Sequence, residues 1–127
     1  MARSYRELIV WQKAKKLAIH AYKTSDAFPK TERFGLASQI RRAAVSVVSN
    51  MAEGQGRITP GEFIHFLGLA RGSLLELETQ IDIAAELGYL HNCDQRALAD
   101  EIYAALGLLN RLIEALRRKR SDLTLKP

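Results

Sequence analysis

Gln39-Ile40-Arg41-Arg42-Ala43-Ala44-Val45-Ser46-Val47-Val48-Ser49-Asn50-Met51-Ala52-Glu53-Gly54 decides the fold. Leu36, Ile40, Ala43, Val47 and Met51 recur at steps of three and four, the signature of a helix with one apolar stripe. Gln39, Arg42, Ser46, Asn50 and Glu53 recur at the same steps beside it. A solvated face normally carries Lys and Glu, so short polar groups in a row suggest a hydrogen-bonded seam against a second helix or a second subunit. Ser73 and Glu76 of the following helix are candidates to complete it. The seam reads as a structural network that fixes register, with a binding site as its alternative. Gly54 is expected to end the helix in the left-handed conformation.

Three further helices flank this one. Ser4-Tyr5-Arg6-Glu7 has the form of a capping box and opens a helix over about residues 5–26, with Trp11, Ala14, Ala18, Ala21, Tyr22 and Ser25 inward. Phe28-Pro29 breaks it, and Thr31 is a fair N-cap for the second helix, about 32–53. Thr59-Pro60-Gly61-Glu62 is a second capping box, starting a helix over about 60–87 with Phe63, Phe66, Leu67, Ala70, Leu74, Leu77 and Ile81 inward. Gly88 stops it. Asn92 or Asp94 caps a fourth helix over about 94–119, with Leu98, Ile102, Ala105, Leu109, Ile113 and Leu116 inward. Short connections between long helices make antiparallel neighbours. The expectation is an all-α, up-down-up-down four-helix bundle over residues 1–120, with a loose tail over 121–127.

Composition bounds the class. The 127 residues are 47% hydrophobic, enough for one globular domain and too many for a disordered chain. No apolar run approaches the roughly 20 residues that span a bilayer. A single cysteine, Cys93, leaves no internal disulfide. The chain reads as soluble and cytoplasmic, with no membrane partner. His20, His65, His91 and Cys93 show no metal-ligand spacing, and Gly54-Gln55-Gly56-Arg57 lacks the ending of a phosphate loop. Neither a metal, a cofactor nor an enzyme active site is expected.

Charge is unevenly placed along the chain. Residues 1–57 hold eleven Lys/Arg against four Asp/Glu, residues 58–110 hold two against eight, and residues 111–127 hold six against two. Arg6, Lys13, Lys16, His20 and Lys23 fall within about 100° of arc on one continuous helix. With Arg41 from the second helix, the cations Arg6, Lys13, Lys16 and Lys23 are candidate phosphate contacts. The alternative is an ordinary solvated face. The third and fourth helices carry more small and apolar residues than one core face needs, and Gly68, Leu69, Gly72, Ala104 and Leu108 are candidates for a subunit interface.

The chain resembles a known family through Glu7-Leu8-Ile9-Val10-Trp11-Gln12-Lys13-Ala14, Phe28-Pro29, Phe34-Gly35-Leu36, Gln39-Ile40-Arg41-Arg42-Ala43-Ala44, Asn50, Ala52-Glu53-Gly54, Gly56-Arg57, Ala70-Arg71-Gly72-Ser73, Glu76-Leu77-Glu78-Thr79 and Leu87-Gly88-Tyr89-Leu90. That family is the four-helix-bundle proteins encoded in intervening sequences of bacterial 23S rRNA genes. The accessory protein of diversity-generating retroelements looks like a relative. The match runs over about residues 5–90; the fourth helix matches only in being amphipathic, and Met51 stands where the family often has Ile. The resemblance implies a bundle that assembles as a ring, commonly a homopentamer, and nucleic-acid association through a basic surface of the ring. In the retroelement relatives it also implies a reverse transcriptase as partner. It does not imply an enzyme. The two functions carried forward are therefore a nucleic-acid-binding accessory protein and a protein-interaction scaffold.

Overall fold

The structure is a computed structural model that describes residues 4–125, with side chains to residue 122. Four α-helices run up and down: α1 Ile9–Ser25, α2 Leu36–Gln55, α3 Pro60–Glu86 and α4 Asn92–Leu125. Each packs on the next and α4 closes onto α1, with α2 and α3 the closest pair. The core is one cluster, in which Leu17, Ile40, Met51, Leu67, Leu74, Leu77, Leu98, Ile102 and Leu109 are fully buried.

Local chemistry shifts several boundaries. Ser4 does cap, accepting from the Arg6 amide at 3.2 Å, but it caps only a 3₁₀ turn, Tyr5–Glu7. Leu8 then turns extended, at φ −72° and ψ 122°, and α1 begins after it. Leu8 packs on the core, and that burial outweighs helical continuity across the break. Ala14, Ala18, Ala21 and Ser25 of α1 are buried as expected, and the inward face differs only at its edges. Val10 and Leu17 are buried, Trp11 is half-buried, and Tyr22 is exposed.

The second helix starts at Leu36, four residues later than the sequence suggests. A 3₁₀ turn, Lys30–Glu32, precedes it, and the Glu32 carboxylate accepts from the Leu36 amide at 3.1 Å. Tyr89 donates to the other oxygen of Glu32 at 3.0 Å. The cap is thus a carboxylate supported from the far side of the bundle, where a Thr31 hydroxyl was expected. A Cβ on Gly35 would meet Glu32 Oε1 at 2.6 Å, so the cap requires glycine there.

Gly54 is not a left-handed stop. Among the described residues the positive-φ glycine is Gly88, at φ +80°. Gly54 is helical and buried, and a Cβ there would lie 2.7 Å from Phe66 Cβ and 3.1 Å from Phe63 Cδ1. Its role is to let α2 and α3 approach. Gly88 does act as expected: the Tyr89 amide donates to Ala84 O at 2.9 Å and the Gly88 amide to Ala85 O at 3.0 Å, a Schellman closure of α3. Thr59 also caps as expected, accepting from the Glu62 amide at 3.1 Å. The last helix starts at Asn92 and continues to Leu125, with no Gly or Pro between Leu108 and Leu125 to stop it. Most of the expected loose tail is therefore helical, while residues 1–3, 126 and 127 lie outside the described residues.

Candidate nucleic-acid interface and the polar seam

The polar seam assembles only at its centre. Ser46 and Ser73 share a hydrogen bond of 2.9 Å between α2 and α3, and Asn50 donates to Ser46 O at 2.8 Å and to its Oγ at 3.0 Å. Glu53 leaves the seam for solvent and accepts from Arg57 at 2.6 Å. Glu76 is exposed and accepts from Gln80, four residues on, at 3.1 Å. Gln39 and Arg42 are exposed on α2. The spacing that linked these seven residues is real, but α2 is buried over too narrow an arc to take in both edges of the polar row. Gln80, which the sequence reading missed, is the buried polar side chain of this interface, and its Oε1 has no partner. Its position in the α3 apolar periodicity is the signal that it points inward.

The five candidate phosphate contacts do not share one face. Lys13, Lys16 and Lys23 project to solvent from α1 and carry no acid partner among the described residues. Arg6 precedes the Leu8 break, so helical spacing does not extend to it. Its guanidinium lies over the rings of Tyr5 at 5.4 Å and Trp11 at 5.9 Å, on the opposite flank of α1. Lys15, also missed, joins it at 5.5 Å from Trp11; the i, i+4 spacing of Trp11 and Lys15 was the available clue. Arg41 is a tie between helices. It donates to Ser25 Oγ at 2.8 Å and Tyr22 O at 3.3 Å, pairs with Asp26, and covers the Tyr22 ring at 4.9 Å. With Asp26 beside it, Arg41 offers little to a phosphate.

Topology re-sorts the charge. Antiparallel packing brings the start of α1 to the same end as the basic run Arg117-Arg118-Lys119-Arg120 of α4, and the Arg120 guanidinium lies beside Gly61 at the start of α3. Lys13 and Lys16 belong to that half. Glu78, Asp82, Glu86, Asp94, Asp100 and Glu101 gather toward the other end, where His20 bonds Glu101 at 2.9 Å and to which Lys23, near the end of α1, also belongs. Segregation along the sequence thus becomes segregation along the bundle axis. The end holding Arg117–Arg120 is the stronger positive field.

The candidate interface residues also divide. Gly68, Leu69 and Gly72 are exposed on the outer face of α3, and nothing lies within 4 Å of a Cβ built on either glycine. Ala104 is exposed and Leu108 half-buried, one and two turns along α4 from Glu101, on the side facing α1. The α1–α2 side holds a groove lined by Tyr22, Arg33, Phe34, Ser38, Arg41, Arg42 and Val45, in which Phe34 is 88% exposed. Among the described residues no group of three or more His, Cys, Asp or Glu gathers to hold a metal, and no helix is long and apolar enough to cross a membrane.

A family model described as 23S rRNA-intervening sequence protein matches residues 6–111. Among solved structures, the chain is similar to a crystal structure, at 1.70 Å resolution, of a protein of unknown function from the S23 ribosomal protein family of Bacteroides thetaiotaomicron. The identity is 19%, the match covers 84% of this chain and 96% of that one, and the TM-score is 0.77, a likeness of fold. No curated protein matches the chain.

Proposed function

The chain belongs to the 23S rRNA-intervening sequence protein family, and from that premise we propose that it is a non-enzymatic, nucleic-acid-binding accessory protein. It contacts phosphates of RNA, DNA or a hybrid through the basic end of each bundle, within a ring-shaped homo-oligomer, a pentamer by family resemblance. The observation that carries this reading is the exposure of Lys13 and Lys16, free of acid partners among the described residues, toward the end that holds Arg117–Arg120. Exposed ammonium and guanidinium groups bind phosphate by releasing its counterions, and a ring repeats a modest site several times around one axis; of the basic run, Arg118 is already paired with Glu114 at 3.4 Å. The exposed thiol of Cys93 fits a reducing compartment such as the cytoplasm.

Fluorescence polarisation with structured RNA, duplex DNA and a hybrid tests the reading at about 50 and about 200 mM salt, a range over which phosphate-driven binding falls steeply. Wild type should bind at the lower salt and weaken at the higher. Lys13→Glu with Lys16→Glu should abolish binding with helicity intact. Lys23→Glu should matter less, because Lys23 stands at the acidic end. No binding at low salt, or a double variant that binds like wild type, would overturn the proposal. The second reading, a protein-interaction scaffold, would then lead; the exposed apolar residues of α3, Leu69, Leu75 and Ile83, favour it.

A further inference from the structure

Phe34 is an aromatic ring the core does not use, since it is 88% exposed. Its backbone is held in place all the same. It stands between the 3₁₀ turn Lys30–Glu32 and the start of α2, where the Gly35 amide donates to Glu32 O at 3.0 Å and the Glu32 carboxylate caps the Leu36 amide. The Arg33 guanidinium lies over the ring at 5.3 Å from its centroid, and the exposure of Phe34 leaves the opposite face to solvent. This ring borders the α1–α2 groove of about 500 Å³, a volume in the range of small-molecule clefts. Tyr22, with Arg41 over its ring at 4.9 Å, and Val45 supply the rest of the apolar lining.

A smaller cleft of about 210 Å³ adjoins the groove and shares Arg33 and Arg41 with it; Lys30, Ser25 and Asp26 complete its polar lining. Four cations, Lys30, Arg33, Arg41 and Arg42, thus line the two cavities against one acid, Asp26. Asp26 is engaged by Arg41, and the two oxygens of Glu32 in the same turn are taken by the Leu36 amide and by Tyr89. Lys30, Arg33 and Arg42 are left without a carboxylate partner among the described residues. A guanidinium stacked on a ring keeps its N–H edge free to donate, so Arg33 can hold a phosphate while it backs Phe34.

An open aromatic face beside unpaired cations suits a nucleotide whose base is not already stacked. Every base presents a π-face, and a single strand carries phosphates on both sides of it. Interior bases of a duplex are covered on both faces, and a purely acidic peptide would meet the cations and leave the ring bare. We propose that the Phe34 groove is a stacking site for an unpaired nucleotide of single-stranded nucleic acid. The base lies on the open face of Phe34, with flanking phosphates held by Lys30 and Arg33 in the smaller cleft and by Arg42 in the groove. The proposal rests on the nucleic-acid reading above and adds to Lys13 and Lys16 a surface that tells single strands from duplex.

Fluorescence polarisation of the full chain tests it at about 50 mM salt, where phosphate contacts are strong. The probes are a labelled single strand of about 8 nucleotides, the same strand without its bases, and the matching duplex. Wild type should bind the intact strand about 5- to 150-fold more tightly than the abasic one, the size of one base–aromatic stack. Phe34→Leu should lose that factor on the intact strand and nothing on the abasic strand or the duplex, and Phe34→Trp should keep it. Lys30→Gln with Arg33→Gln should weaken both single strands. Light scattering should show the mass of each variant unchanged, since all three positions are exposed. A wild type that binds none of the probes would end the nucleic-acid reading and this site together. A wild type that binds them, with Phe34→Leu binding the intact strand equally well, would overturn the stacking site alone. Equal losses on the intact and abasic strands, or a changed mass, would overturn it too and make Phe34 a protein contact.

Discussion

Replacing Gly54 by Ala separates two accounts of the same residue. A helix-interior glycine costs about 0.5–1 kcal/mol relative to alanine, so propensity alone would make Gly54→Ala stabilising. Here the new methyl would sit 2.7 Å from Phe66 Cβ and 3.3 Å from Phe63 O, atoms fixed to the α3 backbone that cannot swing aside. Forcing α2 and α3 apart costs about 1–3 kcal/mol by analogy with overpacked cores, and the 2.7 Å contact puts Gly54 toward the upper end of that range. The net is a loss of about 1–2 kcal/mol, or roughly 4–8 °C in melting temperature for a domain of this size. Urea unfolding at fixed protein concentration reads it as a lowered midpoint with unchanged slope. Gly107→Ala is the control: the nearest atom to its Cβ is the mobile Arg111 Nη1 at 3.7 Å, so propensity should prevail and stability should rise by about 0.5–1 kcal/mol. Gly54→Asn tests the other account. A left-handed cap tolerates Asn well, whereas a close helix crossing should suffer more from Asn than from Ala. A Gly54→Ala protein as stable as wild type, or an Asn variant milder than the Ala variant, would refute the close-packing argument.

Gln80→Leu should raise the urea midpoint by the equivalent of about 1 kcal/mol, because it removes a buried carbonyl oxygen that has no donor while Glu76 is left to water; a lowered midpoint would mean that Oε1 is satisfied in solution. The Tyr89 phenol is held above its usual pKa of 10.0, first by its hydrogen bond to Glu32, then by burial and by the Glu32 charge. A pKa raised by folding contributes stability that is fully present below the unfolded value and is lost as pH rises through the folded one. The urea midpoint of wild type should therefore fall above about pH 10 more steeply than that of Tyr89→Phe, and parallel curves would count against the Glu32–Tyr89 link.

The sequence by itself determined the helices and their number. The apolar rows of α3 and α4, from Leu67 to Ile81 and from Leu98 to Ile113, are buried as their periodicity required, because a helix stripe repeats whatever it packs against. The Thr59 cap and the Gly88 stop were legible for the same reason: their chemistry is complete within a few residues. Readings that failed were those that needed a distant partner. Glu32 caps α2 with help from Tyr89, on the other side of the chain's midpoint, and no local pattern announces that pair. Gly54 looked like a stop because nothing nearby in sequence reveals Phe63 and Phe66 against it. The basic set lost Arg6 at the Leu8 break and Arg41 to Ser25, Tyr22 and Asp26, since a helical wheel cannot see a break or a cross-helix ion pair. Only antiparallel packing could bring Lys13 and Lys16 to the same half as Arg117–Arg120, because height along a bundle is fixed by contacts between helices and not by position along the chain.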